Sequence, residues 1–170
     1  MDVRETELIH RAQAGDEWAF AALLEPVLQE ALRFAYGMLQ GHCEAQDCVQ
    51  EAALRSWDRL GNLGVGRPFA PWFRGIVANR CRERYRSRWW SVKWLSEEVP
   101  SGDGDWLAGE DLRRALARLP HKLRVAVVLR FYVGLSEKEL AETLGIGVPA
   151  VGSRINRALK MLRRWLGEGR

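Results

Sequence analysis

The side chains best equipped for chemistry in this sequence are cationic, and they fall in two blocks. Arg80, Arg82, Arg84, Arg86 and Arg88 occupy every second position with one acid, Glu83, among them. Arg154, Arg157, Lys160, Arg163 and Arg164 form a second block without any acid. Guanidinium groups bind phosphate and grip guanine with paired donors, and an asparagine amide pairs with adenine. Asn79 and Asn156 stand beside or within these blocks. At helical spacing Arg80, Arg84 and Arg88 share a face, a row suited to tracking a phosphate backbone, while Arg82 and Arg86 point elsewhere. A third cluster is acidic: Asp47, Gln50 and Glu51 lie together at i, i+3, i+4, with Arg55 at the edge.

The remaining reactive residues do not assemble an enzyme. His10, His42 and His121 fall in separate segments, and no Ser/His/Asp order, phosphate loop or dinucleotide loop is present. His42, Cys43 and Cys48 lack a fourth ligand and the spacing of common zinc sites. The sequence therefore predicts no catalytic residue, no metal and no cofactor. Cys43, Cys48 and Cys81 are an odd set without paired spacing, which suits a reducing cytoplasm better than a disulfide framework. Redox sensing through Cys43 or Cys48 has as little support as zinc.

Helices must position these groups. Leu8, Ile9 and Ala12 begin an apolar stripe, Gly15-Asp16 interrupts it, and Trp18, Ala19, Ala22, Leu23 and Val27 resume it. Asp16 suits the N-cap of that second segment. A further amphipathic stretch carries Leu28, Leu32, Ala35, Tyr36 and Leu39 and stops near Gly41. Ala45–Leu60 reads as the next helix, Gly61–Pro68 as a loop, and Phe69–Trp90 as a long helix ending in the arginine block. Beyond it, Leu112, Ala115, Leu116 and Leu119 mark a helix, and Pro120 opens another. Leu123–Tyr132 contains Val125, Val127 and Val128, so strand competes there; its i, i+4, i+7, i+8 pattern favours helix. No sustained period-two alternation and no internal repeat appear.

The fold class expected is all-α, with two small helical domains joined by an acidic linker. The stretch 91–111 holds Glu97, Glu98, Asp103, Asp105, Glu110 and Asp111 against Lys93 alone, around a Pro100-Ser101-Gly102-Asp103-Gly104-Asp105 turn sequence. This gives domains over 1–90 and 111–170, with 91–110 between them. The whole chain has 170 residues, a formal net charge of +4, 47% hydrophobic and 28% charged residues, which excludes disordered and collagenous classes. No apolar run approaches the roughly 18 residues of a membrane-spanning helix. The polar, acid-bearing start from Met1 to Glu7 does not read as a secretory signal.

Leu135–Leu162 has the pattern of a helix-turn-helix. Ser136 and Glu139 form a capping box, Gly145 ends the first helix, and Pro149 suits the first turn of the second. Leu140, Ala141, Leu144, Ile146, Val151, Ile155 and Leu159 are the expected shared core. That leaves Gly152, Ser153, Arg154, Asn156, Arg157 and Lys160 on or near the solvent side, where a helix can enter a major groove.

From Leu119-Pro120 through Gly134-Leu135-Ser136-Glu137-Lys138-Glu139-Leu140-Ala141 to Arg157-Ala158, the sequence resembles the fourth domain of bacterial extracytoplasmic-function (ECF) sigma factors. Leu8–Phe20 resembles the opening of their second domain. Ala45-Gln46-Asp47-Cys48-Val49-Gln50-Glu51 with Arg55-Ser56-Trp57 resembles the helix that holds the polymerase clamp. Phe69, Trp72-Phe73 and Ile76-Val77-Ala78-Asn79-Arg80 resemble the promoter-reading helix. Two positions depart from the family pattern: Gly152 stands where many relatives carry a basic residue, and Cys48 where an aliphatic residue is common.

The resemblance implies a non-enzymatic factor that binds core RNA polymerase at its clamp and flap, reads promoter DNA and promotes its opening. It assigns Asp47, Gln50, Glu51 and Arg55 to the clamp. It assigns Asn62, Arg67, Asn79, Arg80, Arg84 and Arg88 to the −10 element, through a pocket formed by loop 61–68 and the helix after it. It assigns Ser153, Arg154, Asn156, Arg157 and Lys160 to the −35 element. Trp72 and Phe73 are candidates for base stacking or for core, and Trp89, Trp90, Trp94 and Trp106 for linker anchors or domain packing. An anti-sigma protein is a common partner in this family. The competing reading is a stand-alone helix-turn-helix regulator that binds operator DNA as a dimer, which needs a symmetric dimer surface and an effector pocket.

Overall fold

A computed structural model of the chain describes residues 3–90 and 109–167, all of whose regular structure is helical. The expected linker, with Trp94 and Trp106, lies outside the described residues. So do the side chains of Arg86, Arg88, Trp89 and Trp90, whose backbones continue the last turns of a described helix.

Four helices make the first half: α1 (Val3–Gln13), α2 (Glu17–Leu39), α3 (His42–Asp58) and α4 (Phe69–Trp90). Asp16 caps α2 as its type predicts, its carboxylate accepting from the Ala19 N–H at 3.0 Å. The two amphipathic segments expected on either side of Val27 are one helix. Pro26 removes an internal hydrogen bond, yet burial of Leu23, Val27, Ala31, Phe34 and Leu39 carries α2 through it. Gln40, in the left-handed region at φ 62°, ends the helix. The loop before α4 includes a 3-10 turn, Leu60–Asn62, held by the Gln13 amide, which donates to the Leu60 carbonyl at 3.0 Å. Val49, Ala52, Phe69, Phe73 and Val77 fill the space between α2, α3 and α4.

The second half contains α5 (Glu110–Arg118), α6 (His121–Val127), α7 (Glu137–Leu144) and α8 (Val148–Gly167). The valine-rich segment is helical, and beyond α6 it widens into a π-helical stretch, Val128–Val133. Gly134, at φ 90°, stops it. Pro120 is the residue before α6 rather than its first helical residue. The capping box is formed: the Ser136 hydroxyl accepts from the Glu139 N–H, and the Glu139 carboxylate accepts from the Ser136 N–H at 2.8 Å. Leu140, Val151 and Ile155 are buried as expected, with Ala141, Leu144, Ile146 and Leu159 packed partly buried around them.

The halves touch along two lines. The end of α2 packs on the π-helical stretch, and α4 packs on α7. Gly37 permits the first contact: a Cβ there would lie 2.7 Å from Val128 Cγ1 and 2.9 Å from Tyr132 Cδ1. Arg33 donates to the Tyr132 carbonyl at 2.8 Å, and the Gln40 amide to that of Arg113 at 3.1 Å. Arg124 is buried and donates to the Ala117 and Leu119 carbonyls at 2.8 and 3.2 Å, closing the end of α5.

Candidate polymerase and promoter interfaces

The acidic patch forms as its spacing requires. Along α3, Asp47 and Gln50 are exposed, and Glu51 and Arg55 are half-buried against α4. The facing row of α4 supplies Arg80 and Arg84. Glu51 is ion-paired with both, and Arg84 also lies 3.8 Å from Asp47. Arg80 further pairs with Glu83, which Arg55 reaches at 3.2 Å. Two sets that the sequence suggested for different partners, clamp acids and backbone-tracking arginines, thus form one charged sheath across the α3–α4 seam. Complementary i, i+4 rows on packed helices produce it. Partly exposed pairs of this kind contribute about 0–1 kcal/mol each, so an incoming partner can exchange them at small cost.

The other side of α4 faces the helix-turn-helix. Arg67, Trp72, Ile76 and Asn79 line a groove of about 810 Å3 whose opposite wall is Ala141–Gly147, the end of α7 and the following turn. Arg67 and Asn79 are exposed at this groove, whereas Asn62 is exposed in the 3-10 turn. Phe73 is fully buried and stacked on Phe69 with ring centroids 5.7 Å apart, so it belongs to the core; Trp72 is half-buried at the groove. The −10 candidates therefore divide: Arg67 and Asn79 share the groove, Arg80 and Arg84 turn to α3, and Arg88 lies outside the described side chains.

On α8, Ser153, Asn156, Arg157 and Lys160 are exposed, and their i, i+3, i+4, i+7 spacing makes one stripe. Arg154 and Gly152 are half-buried at its margin. A Cβ on Gly152 would meet the Glu137 carboxylate at 3.8 Å, an ordinary contact. Exposed Arg164 extends the same stripe one further turn, a placement visible from its i+11 spacing to Ser153. Among the described residues there is no cluster of three His, Cys, Asp or Glu side chains suited to a metal, and no helix long and apolar enough to cross a membrane.

Two titratable groups in the second half are displaced from their ordinary ranges. Glu139 is held below the ordinary carboxylate range by its hydrogen bonds from the Ser136 hydroxyl and N–H. His121 is pushed down to about 4, chiefly by burial and then by the guanidinium charges of Arg124 and Arg82. Sequence reasoning missed Arg124; its one signal was a cation inside the apolar run Leu123–Leu129.

Residues 23–91 match the family model for sigma-70 region 2, and residues 109–162 match that for sigma-70 region 4. The chain is 30% identical to the Mycobacterium tuberculosis protein named ECF RNA polymerase sigma factor SigM, over 96% of this chain and 85% of that one. The chain belongs to the ECF sigma factors. It is also 28% identical to ECF RNA polymerase sigma factor SigW of Bacillus subtilis, over 98% of both chains. A solved structure of CnrH in complex with the cytosolic domain of CnrY superposes with a TM-score of 0.72 at 25% identity, over 97% of this chain and 98% of that one. As an ECF sigma factor the protein directs RNA polymerase to promoters and is not an enzyme. This membership sets aside the operator-binding regulator.

Proposed function

We propose that this sigma factor acts in the cytoplasm with its labour divided between residues 1–90, a linker over 91–110, and residues 111–170. The exposed edge of α3, led by Asp47 and Gln50, docks on the clamp of core polymerase, and Glu51 and Arg55 complete the patch. The second half meets the flap and reads the −35 element through Ser153, Asn156, Arg157 and Lys160, with Arg154 directed to a flanking phosphate. Asn79 and Arg67, with Asn62 in the preceding turn, read and hold the −10 element during strand opening. Arg80 and Arg84 serve phosphate contacts once their carboxylate partners are taken up by polymerase, and Arg88 serves a further phosphate contact on the same element. The observation that most supports this division is the exposed stripe on α8, whose amide, guanidinium and ammonium groups suit base edges and phosphates. A protein partner of the anti-sigma kind, as NepR is for the sigma factor RpoE of Bartonella quintana in their co-crystal structure, suits a chain of this family.

The groove gives the reading a mechanical consequence. With α4 and α7 in contact, both DNA-reading elements lie within one small body. Sites one to two duplex turns apart are separated by about 35–70 Å, and at the longer spacing the halves part when both are engaged. A linker of about 20 residues spans up to roughly 70 Å when extended.

Asp47→Arg and Arg157→Ala test the two assignments separately. Asp47→Arg is expected to weaken core-polymerase binding by at least about tenfold, the size of 1.4 kcal/mol, without changing thermal unfolding. Arg157→Ala is expected to leave polymerase binding intact and to lower transcription from −35-dependent promoters. Unchanged pull-down with Asp47→Arg would remove α3 from the clamp; unchanged transcription with Arg157→Ala would remove the stripe from the −35 element.

A further inference from the structure

We propose that Cys48 and Cys81 form a buried dithiol site that hydrogen peroxide converts into an internal disulfide, fastening α3 to α4. The sulfurs lie 3.5 Å apart, one on each facing helix, although 33 residues separate them in sequence. Both side chains are fully buried free thiols, whereas Cys43 is exposed. A disulfide bond is about 2.05 Å long, so closure asks the sulfurs to approach by roughly 1.5 Å, within reach of side-chain rotation and a small helix shift.

The guanidiniums beside the pair favour Cys48 as the first nucleophile. Cys48 is made more acidic by the hydrogen bond with Cys81 and by the nearby Arg84 and Arg80 guanidiniums, with burial opposing. Cys81 is pushed up by its hydrogen bond with Cys48 and by burial. Cys48, as thiolate, attacks one peroxide oxygen: an S–O bond forms, the O–O bond breaks, and the departing hydroxide takes a proton to leave as water. Cys81 then surrenders its proton and attacks the Cys48 sulfur: the S–S bond forms, the S–O bond breaks, and a second water departs. The sulfurs together lose two electrons, which the peroxide gains. Because neither sulfur meets solvent, the reaction passes through local opening of the α3–α4 seam.

The test is hydrogen peroxide treatment of the full-length chain, followed by alkylation of remaining thiols and peptide mapping. The expected product has lost the mass of two hydrogens, carries a Cys48–Cys81 cross-linked peptide, unfolds at higher temperature, and reverts with dithiothreitol. Cys43→Ser is expected to retain the cross-link, and Cys81→Ala to leave a sulfenic acid on Cys48 that dimedone traps. Should Cys81→Ala fail to fold, the wild-type peptide map decides alone. The proposal is overturned if Cys43 alone reacts, if Cys48 and Cys81 oxidise without joining, or if they join beyond the unfolding transition and nowhere below it.

Discussion

At the scale of single residues, His121 and Arg124 show how burial redirects chemistry that composition leaves open. Arg124 satisfies the carbonyls that end α5 instead of meeting phosphate. His121 sits beside it, with its pKa depressed to about 4 by burial first and by Arg124 and Arg82 after it. The unfolded chain binds a proton at about pH 6.5, before the folded chain does. This histidine's contribution to stability is therefore present above pH 6.5 and is lost as the pH falls from there towards 4. Urea unfolding at pH 7.5 and 5.5 is expected to show lower stability at the acid value, with much of the difference removed by His121→Gln. An undiminished difference in that variant would place the titrating group elsewhere. None of this was legible in the sequence, because burial of a histidine beside two arginines is a product of packing across 39 positions between Arg82 and His121.

Elements were far more legible. The caps at Asp16, Ser136 and Gly145 and the span of α4 follow from local rules of side-chain donors, acceptors and left-handed glycine. Around Val27 the local reading divided one helix into two segments, and at the valine run it left strand in competition; in both places apolar burial carries the helix through. What spacing could not give was the partner of each face: the arginine row of α4 meets α3, and that pairing joins positions about 30 residues apart. The helix-turn-helix offers a prediction at this scale. Gly152 lies inside α8 with room for a Cβ, so Gly152→Ala is expected to stabilise the protein by about 0.8–1 kcal/mol. Denaturant unfolding checks it; a loss of stability would mean that the glycine serves a close approach.

Across the whole molecule, the contact between the halves is the feature that local sequence cannot foretell. It depends on Gly37 letting α2 approach Val128 and Tyr132, and it closes the groove between α4 and α7. Gly37→Ala exchanges a helix-interior glycine for a better helix former, yet places a Cβ in that contact. Small-angle scattering is expected to give the wild type a radius of gyration near the 16 Å of a compact chain of this length, and a larger value for Gly37→Ala. Equal radii for the two proteins would show that the contact does not hold the halves together.

A factor that supplies promoter addresses and leaves catalysis to polymerase is tested most directly by transcription with purified components. Core RNA polymerase, the intact chain and a pool of promoter fragments would be combined, and the transcripts sequenced. The expected result is a set of discrete start sites that appears with the chain, vanishes without it, and shares paired −35 and −10 sequences. Identical transcripts with and without the chain would contradict the account.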